Sequence, residues 1–186
     1  MKVTRAIAVR NRENIVDKAG ELFRAYGYGG VGVAEIMRAA GLSHGGFYAN
    51  FDSKEDLIVE ASSSAMKGNV DFWRKLRTEG ARLQPRQMVE RYLKEAYAEA
   101  NAEGCVMAAL GSEIARQGEK VRVPLTEQVK ELVEVLAAMM PPGTEGDRRR
   151  QSLAAYAGMV GALVLARAST DVVFSQEIIQ AVADTI

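Results

Sequence analysis

Residues 33–54 read VAEIMRAAGLSHGGFYANFDSK. Val33, Ile36, Met37 and Ala40 recur at the spacing of one helical face and predict a short helix. Gly41 stops it and permits a sharp turn, because no Cβ resists positive φ there. Leu42 can plug the angle, and Ser43 suits the N-cap of a further helix carrying Phe47, Tyr48 and Phe51. Two short helices joined by Ala40-Gly41-Leu42-Ser43 have the outline of a helix-turn-helix. Ser43, His44, Gly45, Gly46, Tyr48 and Asn50 then remain for its exposed face. No acid occurs from 36 to 51. An acid-free, hydrogen-bonding face at a positive helix end suits a DNA major groove and its phosphates.

The flanks complete a trihelical head. Upstream, Ile15, Ala19, Leu22, Phe23 and Tyr26 form one apolar face, and Gly27 ends that helix. Lys2, Arg5, Arg10 and Arg12 precede the first acid, Glu13, as a short basic arm. The arm reads either as a solvated tail or as a strap whose Arg5 or Arg10 reaches the minor groove or backbone. Downstream, Asp52 or Ser53 caps a longer helix with Glu55 and Asp56 in its first turn, where acids suit the helix dipole. It runs through Leu57, Ile58, Ala61 and Ala65 towards Trp73 and Leu76.

Beyond it, breaks near 80–85, 104, 118–124 and 141–146 delimit helical stretches at 86–101, 105–117, 125–139, 147–168 and 175–184. The expectation is an all-α chain. Residues 1–54 make a helix-turn-helix domain, and 55–186 a larger helical domain for ligand binding and dimerisation.

Composition narrows the function. Lys+Arg and Asp+Glu balance at 24 each, which counts against DNA binding unless the basic groups cluster, as they do at the front. The one cysteine and one histidine leave no intrachain disulfide and no His/Cys cluster for a metal, and point to a reducing cytoplasm. No catalytic arrangement assembles around the only histidine, and no P-loop or dinucleotide glycine pattern follows a strand, so neither an enzyme nor a cofactor is expected. Residues 1–25 carry no signal-peptide pattern, and the apolar run 153–166 is too short to span a bilayer, so it reads as a buried helix.

The segment GYGGVGVAEIMRAAGLSHGGFYANFDSKEDL resembles the N-terminal signature of the TetR/AcrR family of one-component transcriptional regulators, over roughly residues 12–60. The resemblance implies a nine-helix homodimer, a ligand cavity in the body, and release of DNA on effector binding. It implies a phosphate contact for Ser43, base edges for His44 and Gly45, and phosphate contacts for Tyr48 and Lys54. Val31 and Gly32 stand where the family often has Thr or Ser. Gly46 and Asn50 replace commoner Thr/Ala and His. The docking mode therefore carries over and base preference does not.

In the body, Met66, Trp73, Met88, Tyr92, Met107, Leu110, Met139 and Tyr156 either line an adaptable pocket or fill the core. Glu113 and Tyr92 are candidate polar groups of such a pocket. Cys105, after Gly104 at a helix start, is either a redox or electrophile sensor or an inert buried thiol. Leu153, Tyr156, Ala157, Val160, Leu163, Val164 and Arg167, with Ile178, Ile179 and Val182, form stripes that read as a dimer seam or as the completion of the monomer core. Two-fold pairing would set two recognition helices one DNA turn apart on a palindromic operator. The function expected is a repressor released by a small apolar or aromatic ligand. The rival is a helical ligand-binding or interaction protein that does not bind DNA.

Overall fold

The computed structural model describes residues 5–79, 85–98 and 104–185. They form eight α-helices and one 3₁₀ helix, with no strand among the described residues. The α-helices are α1 (Arg5–Gly30), α2 (Val33–Ala39), α3 (Lys54–Glu79), α4 (Pro85–Ala98), α5 (Val106–Ile114), α6 (Glu119–Ala137), α7 (Glu145–Ala168) and α8 (Val172–Thr185). The 3₁₀ helix, His44–Ala49, is the recognition turn.

Ile15, Ala19 and Phe23 of α1 are buried with Ile36 and Met37 of α2, Phe47 and Phe51. The long α3 carries Leu57, Met66, Val70 and Trp73 in one core continuous with these residues. It packs on α1 and, from its first turn onward, along α6. α7 packs against α4, α5, α6 and α8. By length and composition it is apolar enough to cross a membrane. In the body it buries Ala155, Tyr156, Met159, Ala162, Leu163 and Ala166.

Four expectations are corrected. The basic arm is helical from Arg5, since Ala6 and Ala8 favour helix and no glycine or proline interrupts it; Lys2 lies outside the described residues. The third element is a 3₁₀ turn, not an α-helix, because Gly45-Gly46 gives it little helical propensity. The Ser43 hydroxyl does not cap it; the Ser43 carbonyl accepts the Gly46 N–H at 3.0 Å. Finally, α6 begins at Glu119 and runs through Pro124. The carbonyl that Pro124 cannot serve belongs to exposed Lys120, where water can take it.

The candidate DNA-binding face and the interior cleft

The turn between α2 and the recognition turn is built by Gly41, at φ 71. Its N–H donates to the Arg38 carbonyl at 3.0 Å and the Leu42 N–H to the Met37 carbonyl at 2.9 Å. This is a Schellman ending, which needs the left-handed conformation glycine supplies. Asn14 of α1 donates to the Ala40 carbonyl at 2.8 Å, satisfying another terminal carbonyl. Phe47 is buried and stacks on Phe51 at 5.6 Å between centroids, which seats the turn.

That seating presents Ser43, His44, Gly45 and Tyr48 to solvent, Tyr48 at 69% exposure, as the sequence pattern requires. Arg38 is exposed beside them, and Arg5 is exposed on the first turn of α1. Gly46 and Asn50 are half-buried. The Asn50 amide donates to the Gly46 carbonyl at 2.8 Å and its backbone carbonyl accepts from Arg12, so Asn50 braces the turn from within. Lys54 is also committed: Nζ donates to the carbonyls of Tyr28 and Val31, each at 2.6 Å. One of its three donors remains for a phosphate. Val31 is buried, so its side chain serves the core where the family often has a hydroxyl.

Arg12 is the residue that sequence reasoning misplaced. In the sequence it belongs to the basic arm, yet one guanidinium nitrogen reaches the Asn50 carbonyl and the other pairs with Glu60 of α3. The guanidinium lies 4.1 Å from the centre of the Phe51 ring, a cation–π contact. One side chain thus clamps α1, the recognition turn and α3.

In the body, most of the supposed pocket residues are core. Met66, Trp73, Met88 and Leu110 are buried, and Met107 lies on a separate surface groove of about 270 Å³ with Arg122 and Val129. Tyr92 does line a cleft of about 310 Å³, with Phe72, Asn69, Ala96, Gly104 and Cys105. Its ring packs 4.9 Å from Trp73 and 5.7 Å from Phe72, so three aromatic rings back the cleft. Burial raises the Tyr92 and Tyr156 phenols well above their ordinary range, and the Cys105 thiol adds to both shifts. Both stay neutral. Cys105 itself is buried at the N-cap of α5, where the Val106 N–H donates to Asn69 Oδ1 at 3.1 Å. Glu113 is no pocket residue; its carboxylate accepts the Tyr28 N–H.

The expected dimer seam also divides. Tyr156, Leu163 and Ile179 are buried within the protomer and present little surface to a partner, and the half-buried Arg167 turns inward to the Ala96 carbonyl at 2.6 Å. Leu153 and Val164 are exposed, and Val160, Ile178 and Val182 half-buried. Periodicity missed Leu165, Val172, Val173 and Phe174, all exposed at the α7–α8 corner.

Residues 15–61 match the profile of bacterial regulatory proteins of the tetR family. The chain is 26% identical over 146 residues to the HTH-type transcriptional repressor DhaR of Mycobacterium sp. (strain GP1), covering 77% of this chain and 72% of that protein. It is 37% identical over 67 residues to the A-factor receptor protein of Streptomyces griseus, covering 36% of this chain and 24% of that one. A TetR-family transcriptional regulator from Agrobacterium tumefaciens has the same fold, with a TM-score of 0.78 at 22% identity over 96% of this chain and 98% of that chain. The matched segment is the one that builds the latched turn with its acid-free face; over it the chain is similar to the DNA-binding domain of tetR-family proteins, and the chain is a DNA-binding transcriptional regulator.

Proposed function

We propose that the chain is a homodimeric repressor whose two heads grip a palindromic operator and let go when a small ligand enters the body. The observation that carries the DNA half is the exposed turn Ser43–Tyr48, free of acids and braced from behind by Arg12, Phe47 and Asn50. A rigid reading element loses little entropy on docking. His44 and Gly45 face base edges in this reading, and Ser43, Tyr48, Arg5 and the third donor of Lys54 face phosphates. Head (1–54) and body (55–186) are its functional parts, and the cytoplasm, where the operator is, its place of work.

The exposed strip of Leu153, Val164, Leu165, Val172, Val173 and Phe174 supports dimerisation through α7 and α8. Apolar surface of that kind favours a partner. Two-fold pairing sets the heads about 34 Å apart, one turn of DNA. Ligand in the body shifts α3 or α5 and changes that spacing, and by linkage operator DNA weakens ligand binding by the same factor. The names of the two relatives, a repressor and a receptor, support the two halves of the reading.

Fluorescence anisotropy with DNA from upstream of the chain's own gene, at two salt concentrations, tests it. Tight binding that salt weakens and unrelated DNA does not compete away is the expected result. A folded dimer that binds no DNA at low salt overturns it.

A further inference from the structure

Behind the cleft of α3, α4 and α5 the described residues leave a positive charge without a counter-ion. Arg167 reaches inward from α7, with Nη2 on the Ala96 carbonyl at 2.6 Å, while Nη1 is shielded from solvent and has no partner among the described residues. No carboxylate pairs with it among the described residues. A shielded cation normally brings an anion with it, because desolvation is costly otherwise. The group lies immediately behind Gly104, a cleft residue: a Cβ built there would stand 2.6 Å from Nη2.

Arg167 is not alone. It is near enough to Tyr92 to pull that phenol's pKa down against burial. Tyr92 lines the cleft, and its hydroxyl lies beside the Cys105 thiol. Next along the wall comes the Cys105 thiol, and beyond it Tyr156, 6% exposed, whose buried hydroxyl also lacks a partner. The Trp73 indole N–H is a further buried donor left unmade. Native interiors leave few such groups, and three of them packed directly behind the lining residues Tyr92, Cys105 and Gly104 mark a place that a ligand completes.

We propose that this wall binds a small monocarboxylic acid with an aromatic or apolar body. The carboxylate lies between the Arg167 guanidinium and the Tyr92 hydroxyl, and the body lies against Phe72 and Tyr92, with Trp73 packed behind Tyr92. Arg24 and Glu95 also line the cleft and offset one another, so the single surplus charge of Arg167 suits a monoanion better than a phosphate dianion. A cleft of about 310 Å³ holds a molecule of one ring and a short chain. The inference rests on the effector-controlled function proposed above and names the chemistry of that effector.

The test uses 3-phenylpropanoate and its uncharged isostere 3-phenylpropanamide, titrated into the full-length protein without DNA. Calorimetry gives affinity, and quenching of Trp73, the only tryptophan, places the ligand at this wall. The acid should bind about tenfold or more tighter than the amide, as a charge-assisted contact predicts. Tyr92→Phe keeps the ring and removes only the hydroxyl beside the Cys105 thiol, so it should erase most of the preference, with a thermal melt checking that the fold is kept. Arg167→Gln should erase it fully, with a thermal melt checking that the loss of the Ala96 contact has not unfolded the body. Equal binding of acid and amide overturns the proposal. So does failure of both to bind up to about 10 mM, or a preference that survives both substitutions. Acid binding that leaves operator affinity unchanged upholds this site and overturns the release mechanism instead.

Discussion

The Glu113 carboxylate accepts the backbone N–H of Tyr28 at 2.8 Å, joining the C-terminal end of α5 to the point where α1 breaks. At the other end of the same helix, Cys105 and Gly104 line the interior cleft. Nine residues of helix span about 14 Å. Lys54 holds the opposite side of the break through the carbonyls of Tyr28 and Val31. A displacement of α5 at the cleft therefore pulls directly on the chain that leads into α2 and the recognition turn. Replacing Glu113 with alanine should cost about 1–2 kcal/mol in urea unfolding, the loss of a charged acceptor from a buried-side N–H. Affinity for operator should change little, while the loss of affinity on adding effector shrinks. Unchanged coupling in Glu113→Ala would assign transmission to α3 alone.

The two glycines with positive φ should respond very differently to a methyl group. Gly27 sits at φ 77, ψ 166, a region that L-residues essentially avoid, and a Cβ there runs into the Glu113 carboxylate. Gly41 sits at φ 71 with open space around it. Gly41→Ala should cost about 1 kcal/mol, the left-handed backbone term alone. Gly27→Ala should cost about 2–3 kcal/mol, because strain and collision add. Thermal melts of the two variants rank them, and equal costs would mean that Glu113 swings aside freely.

The head was legible because its signals are local. Glycine stops, the Ser53 start and the apolar faces of α1 and α2 each need only neighbouring residues, and they fall where the pattern placed them except for Tyr26, which is exposed; Ser53 Oγ accepts the Asp56 N–H at 3.1 Å. What the sequence hid is long-range. Nothing in the spacing of Arg12 tells that Glu60 and the Asn50 carbonyl lie within its reach, and Glu113 lies 85 residues from the N–H it serves. In the body, periodicity found the faces of α7 and α8 but could not say which edge of an apolar stripe is covered. Leu163 and Ile179 went to the core, whereas Leu165 and Val173 stayed outside.

Tyr48 and Lys54 separate docking from folding. Tyr48 is largely exposed and its hydroxyl has no protein partner among the described residues, so Tyr48→Phe should leave stability within about 0.5 kcal/mol while weakening operator binding. Lys54→Met loses two hydrogen bonds to carbonyls and should cost about 1–2 kcal/mol of stability together with DNA affinity. The salt dependence of binding should flatten for Lys54→Met if its third donor meets a phosphate. An unaltered salt slope would make Lys54 a purely structural brace.

At the base of α3, Lys120 of α6 and then the Ser53 hydroxyl hold the Asp56 carboxyl below its ordinary value of 3.8. A depressed carboxylate stabilises the fold above its unfolded pKa, and that contribution disappears as pH falls through the lower folded value. Acid should therefore loosen the α3–α6 contact below about pH 4. Asp56→Asn should flatten the acid limb of a melting-temperature profile and leave the neutral region nearly unchanged. A profile identical to that of the parent protein would show that the pair is too well solvated to matter.

The corner between α7 and α8 offers the sharpest test of assembly. Leu165 is 60% and Val173 76% exposed, and neither supports the protomer's own core. A glutamate at either site should leave the monomer's melting temperature intact, since exposed substitutions seldom exceed about 0.5 kcal/mol. In a dimer built on this strip the same glutamate would be buried against its own copy across the two-fold axis, a like-charge contact that costs far more. Leu165→Glu and Val173→Glu should therefore run as monomers in light scattering. Their affinity for a full palindrome should fall towards that for a half-site, because only the dimer couples two heads. Monomeric variants that still discriminate the full palindrome would place the seam elsewhere on the body.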